Sequence, residues 1–112
     1  MTAKRAGNNK FLKEYNEAGI LDLIRTGRAR TRADLSKATG LSPTATGLIV
    51  SSLIERGYIR ERGTGESKGG RRPVLLELVP GSCFSIGLDV DVGSVLYVLM
   101  DITGNVLYEG SA

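Results

Sequence analysis

Apolar positions recur at three- and four-residue spacing over residues 9–27, where Phe11, Tyr15, Ala18, Leu21 and Ile24 are interleaved with polar side chains. That period predicts an amphipathic helix with those five residues inward. Gly27 supplies a stop, and Gly19 inside the pattern weakens the helix by about 1 kcal/mol relative to Ala. A second helix is expected over 32–39, with Leu35 and Ala38 on one face and Gly40 at its end. Thr31, with Asp34 three residues later, has the form of a capping box. Ser42-Pro43 opens a third helix, because a Ser N-cap accepts a backbone N–H and Pro suits the first helical position. This helix runs to about Arg56, with Thr46, Ile49, Val50 and Leu53 inward and Ile54 at the margin.

After Gly57 the period falls to two. Tyr58–Arg62 and Val74–Val79 read as strands flanking a loop, residues 63–73, rich in Gly and bases. Beyond Pro80-Gly81, three more strand-like runs follow: Cys83–Val90, Val95–Asp101 and Val106–Tyr108. A few strands without a covering layer cannot bury a face. The expected division is therefore residues 1–80 as one domain and 81–112 as the opening hairpin of a larger one.

Charge sharpens that division. All fifteen Lys and Arg lie in residues 1–72 against seven acids, a net +8, whereas residues 73–112 hold five acids and no base, a net −5. Such a split points to two parts with different partners. Cys83 is alone, so neither an internal disulfide nor a Cys-based metal cage is available. No apolar run approaches the ~18 residues of a membrane span, and the first ten residues lack a signal-peptide core, which makes the cytoplasm the expected compartment.

A short helix, a tight turn (Gly40-Leu41-Ser42) and a second helix form a helix-turn-helix; the preceding helix and following hairpin make it winged. The expected fold class is mainly α with a small β part. Leu41 should plug the gap between the helices. Arg28, Arg30 and Arg32 precede the second helix, and Lys68, Arg71 and Arg72 lie in the wing, where phosphates of double-stranded DNA would pass. A helical bundle serving protein contacts is the alternative.

The runs Gly27-Arg28-Ala29-Arg30-Thr31-Arg32-Ala33-Asp34-Leu35, Gly40-Leu41-Ser42, Leu53-Ile54-Glu55-Arg56-Gly57-Tyr58-Ile59 and Gly69-Gly70-Arg71-Arg72-Pro73 together resemble the N-terminal part of ROK-family repressors. Ile86-Gly87-Leu88-Asp89 and Asp101-Ile102-Thr103-Gly104-Asn105-Val106-Leu107 resemble the first hairpin of that family's actin-like, sugar-binding domain. The resemblance implies a DNA-binding repressor of sugar-utilisation genes, a homodimer at full length, and a sugar effector held by a further C-terminal domain. A fragment of a sugar kinase is the competing reading. The family's kinases carry an Asp-x-Gly-Gly-Thr phosphate loop where this chain has Asp89-Val90-Asp91-Val92-Gly93-Ser94. Asp91 would repel a phosphate and the paired glycines are missing, so no catalytic residue, cofactor or metal ligand is expected.

Direct reading of bases in the major groove relies on Arg, Lys, Asn or Gln, and none occurs between Ser42 and Ile54. The groove-facing candidates are Ser42, Pro43, Thr44, Ala45, Gly47, Leu48 and Ser51, suited to thymine methyls and short phosphate bonds. Arg30, Thr31 and Arg32 complete the backbone contacts. Gly69–Pro73 resembles an AT-hook core, whose extended arginines enter a narrow A·T minor groove; Arg71 and Arg72 are its basic members, and Lys68 precedes it in the wing.

Overall fold

The computed structural model describes residues 2–64 and 72–112, with side chains from residue 8 onward except that of residue 64. Three helices come first: α1 (Thr2–Thr26), α2 (Arg32–Thr39) and α3 (Pro43–Glu55). The hairpin β1 (Ile59–Thr64) and β2 (Val74–Leu78) follows, then a three-stranded sheet of β3 (Phe84–Asp91), β4 (Ser94–Asp101) and β5 (Val106–Ser111). Both sheets are antiparallel, the second in the order β3-β4-β5. None of the helices is long and apolar enough to cross a membrane among the described residues.

Each boundary has a local cause. α1 stops at Gly27, whose φ of +75° suits glycine, and Arg28 N–H returns to the Leu23 carbonyl. Thr31 Oγ1 accepts from Asp34 N–H at 3.1 Å to open α2, and Gly40, at φ +76°, closes it. Ser42 Oγ accepts from Ala45 N–H at 3.0 Å, with Pro43 behind it in the first turn of α3. Caps of this kind contribute about 1 kcal/mol each.

Helices and wing share one core: Ile20, Ile24, Ala29, Leu35, Val50, Leu53, Ile59, Leu76 and Leu78. Leu41 packs against it from the inter-helix turn, as expected. Pairing of Ile59 with Leu78 and Glu61 with Leu76 turns the apolar side of the wing inward. Leu76 N–H also donates to the Arg30 carbonyl at 2.8 Å, tying the wing to the segment that enters α2.

The inward face of α1 differs from the expected one. Ile20 and Ile24 are buried, Leu21 and Leu23 are half-buried, and Ala18 is exposed. Phe11 and Tyr15 are 64% and 68% exposed, their rings stacked on each other at 6.2 Å. At about 100° per residue, Phe11, Tyr15 and Ala18 lie nearly opposite Ile20 and Ile24. The helix thus carries two apolar stripes, and the body covers only the second. Ala38 likewise faces solvent, because α2 is short and Leu35 alone reaches the core. In α3, Thr46, Val50 and Leu53 are buried as expected, with Ile49 and Ile54 half-buried beside them.

Candidate nucleic-acid interface

The outer face of α3 follows from its inner one. With Thr46, Val50 and Leu53 fixed in the core, Thr44, Leu48, Ser51 and Glu55 recur at i, i+4, i+7 and i+11 along the opposite side. All four are exposed, Leu48 to 69%. Ala45 and Gly47 flank the row and are half-buried. A Cβ on Gly47 would meet nothing within 4 Å outside the helix itself, so the body does not require glycine there. Ser42 and Pro43 stand exposed at the head of the row. The row is smooth and uncharged until Glu55, an acid that inspection of residues 42–51 alone leaves out.

Basic side chains border this face unevenly. Arg32, at the start of α2, lines one hollow with Thr31, Ala33, Arg72, Pro73 and Val74, and a second with Ser36, Lys37 and Pro43. Its Nη2 donates to Glu61 Oε1 of β1 at 2.9 Å, a partly exposed pair that bridges α2 and the wing. Thr31 is nearly buried, with its oxygen occupied as the α2 cap. Arg30, only two residues away, lines a different hollow with Ile24, Arg25, Leu76 and Pro80. Arg28 is exposed. Arg72 is exposed at the base of the wing, whereas Lys68 and Arg71 lie outside the described residues. Lys37, absent from the sequence-based candidates, joins Pro43 across the inter-helix turn; a base in the last turn of α2 was its one visible signal.

Known proteins are similar to this chain in sequence and fold. The model of the IclR helix-turn-helix domain matches residues 18–63. A putative xylose repressor of Caldicellulosiruptor sp. (strain Rt8B.4) is 37% identical over 103 residues, covering 92% of this chain and 26% of the relative. The DNA-binding transcriptional dual regulator NagC of Escherichia coli (strain K12) is 29% identical over 103 residues, or 92% of this chain and 25% of that protein. A solved ROK family transcriptional regulator, homologous to the E. coli MLC protein, has a TM-score of 0.65 and 26% identity over 89% of this chain and 26% of its own. Over nearly all of its length the chain is thus similar to sugar repressors and to a ROK family transcriptional regulator. It spans about a quarter of the length of the curated relatives it matches.

Residues 89–94 form the tight hairpin between β3 and β4. The Asp91 carboxylate accepts from Val92 N–H at 2.7 Å, and Gly93 turns the chain at φ +80°. Asp91 therefore stabilises a turn.

Proposed function

We propose that residues 1–80 bind operator DNA through the exposed row of α3, within a cytoplasmic repressor of sugar-utilisation genes. Residues 81–112 then begin a sugar-binding unit that has no phosphotransfer role, and the full protein acts as a homodimer that releases DNA when a sugar binds. The observation that carries this reading is the Thr44–Leu48–Ser51 row. It is exposed on a helix capped at its N-terminus and anchored by three buried residues; Arg32 and Lys37 share a hollow with Pro43 at its head, and Arg72 shares a second hollow with Arg32.

Shape supplies the fit, since hydroxyls and a Leu can meet phosphates and thymine methyls without a bidentate base contact. Ser42, Pro43, Thr44, Ala45, Gly47, Leu48 and Ser51 form the groove surface. Arg32 and Thr31 sit toward one phosphate strand, Arg30 approaches only by reorienting from the inner hollow, and Lys68, Arg71 and Arg72 extend the contact through the wing. The xylose repressors and NagC carry names that match this role.

The test is a DNA-binding titration over a salt series with operator-like and scrambled duplexes. A DNA reader loses affinity on a log–log scale with a slope near about −0.9 for each phosphate contact, on top of a sequence preference. Absence of DNA binding at low salt would assign the α3 face to protein contact instead.

A further inference from the structure

The turn between β4 and β5 is unusual in what it carries. Hairpin tips are ordinarily polar or glycine-rich, and residues 101–105, Asp-Ile-Thr-Gly-Asn, follow that rule at every position but Ile102, at the start of the bend. Ile102 is half-buried and packs against the core of the helices and wing, far along the chain from every residue it meets there. The turn is tied together by its own hydrogen bonds. The Asp101 carboxylate accepts from Thr103 N–H at 2.9 Å, Thr103 Oγ1–H at 2.6 Å and Asn105 N–H at 3.0 Å. Gly104, at φ +93°, lies beside Arg25, where a Cβ would make an ordinary 3.7 Å contact with the guanidinium. Arg25 is itself aimed by Asp22, at 2.6 Å, and lines the hollows on both sides of the turn. Thr103 closes the hollow of about 240 Å³ that Ile24, Leu78 and Pro80 line from the other side.

We propose that this surface of the winged helix-turn-helix, formed by α1 around Ile24–Arg25 and by the end of β2, is a docking face for the Asp101–Asn105 turn, with Ile102 as its anchor. The contact is a strut: it fixes the orientation of the three-stranded sheet against the α3 face, which the tether at residues 79–83 could not do alone. Asp101 is a positioning residue, since its three accepted hydrogen bonds shape the turn that delivers Ile102. An anchor of this kind explains why an apolar β-branched side chain occupies a bend, and why the described α1 packs on two units instead of one.

The test needs no DNA, so its failure would leave the DNA-reading proposal untouched. Backbone ¹⁵N relaxation of the 112-residue chain reports the ns tumbling of each unit separately. The expected result is one correlation time shared by α3 and β3–β4 in the native chain and in Ile102→Leu, and two separate times in Ile102→Asp, the sheet's being the shorter. Two times in the native chain, or one in a folded Ile102→Asp, would overturn the strut. Should Ile102→Asp lose the β3–β4 signals themselves, Ile102→Ala, which keeps the turn polar-neutral and the strand pairing intact, is read for the same two outcomes.

Discussion

The β3–β5 sheet carries apolar residues more densely than the helical body, yet buries fewer of them. In the body, three helices and a hairpin surround nine buried side chains. In the sheet, Phe84, Ile86, Leu88 and Val90 line one face by strict alternation, opposite Leu99, Tyr97 and Val95. Ile86 nevertheless stays 71% exposed and Val90 70% exposed. The difference lies in layers: an apolar stripe stabilises only when a second element covers it. Hydrogen-bonded pairing alone arranges the sheet without giving it a core.

The sharpest way to break this comparison is a matched pair of truncations. Leu53→Ala removes a buried side chain and should cost ~2–5 kcal/mol, whereas Leu88→Ala, on the open sheet face, should stay within about 0.5 kcal/mol. Urea unfolding of the chain measures both; equal losses would mean the sheet carries hidden packing.

Next in size is Gly47→Leu, at the half-buried flank of the exposed α3 row. Nothing in the body meets a Cβ there, so stability should hold or rise, Gly being ~1 kcal/mol worse than Ala in a helix. DNA affinity should fall at least tenfold, ~1.4 kcal/mol. Thermal melting and a binding titration on one preparation separate the two. A smaller gain is expected inside the body. Thr46 Oγ1 is buried and has no hydrogen-bond partner among the described residues. Thr46→Val, of nearly equal shape, should therefore stabilise by about 1 kcal/mol, read as a higher Tm.

The smallest effect belongs to the sheet's turn. The Thr103 hydroxyl, with the Asn105 and Thr103 amides, holds the Asp101 carboxyl below its ordinary value. A depressed folded pKa means this contribution is fully present above the ordinary carboxylate range and is lost as pH falls through the lowered value. The Thr103 and Asn105 amide shifts should accordingly titrate below pH 4 and move no further above it; movement centred well above that range would contradict the turn geometry.

Caps and stops were legible in the sequence because they are local: Thr31, Ser42, Gly27 and Gly40 act within four residues of themselves. The buried face of α3 was legible too, since only one apolar stripe exists on it. α1 was not, because spacing identifies a stripe but cannot say which of two meets the rest of the chain. The site divides in the same way. Thr44, Leu48 and Ser51 followed from α3 periodicity, but Arg30 and Arg32, two residues apart, line different hollows set by tertiary packing. The pairing of Arg32 with Glu61 spans 29 residues and leaves no local trace.

That pairing also bears on how the chain would respond to electrolyte. Glu61 already serves Arg32 as an internal counterion, as Glu77 does for Arg60 and Arg62, and Glu17 for Arg56. When an arginine exchanges its carboxylate for a DNA phosphate, the duplex gives up a cation, but the abandoned carboxylate draws one back from solution. The net number of ions set free per contact is then smaller than a count of arginines implies, and the potassium dependence of binding should be shallower. Glu61→Gln removes the competitor, so its binding should grow both tighter at low salt and more steeply salt-sensitive than that of the parent.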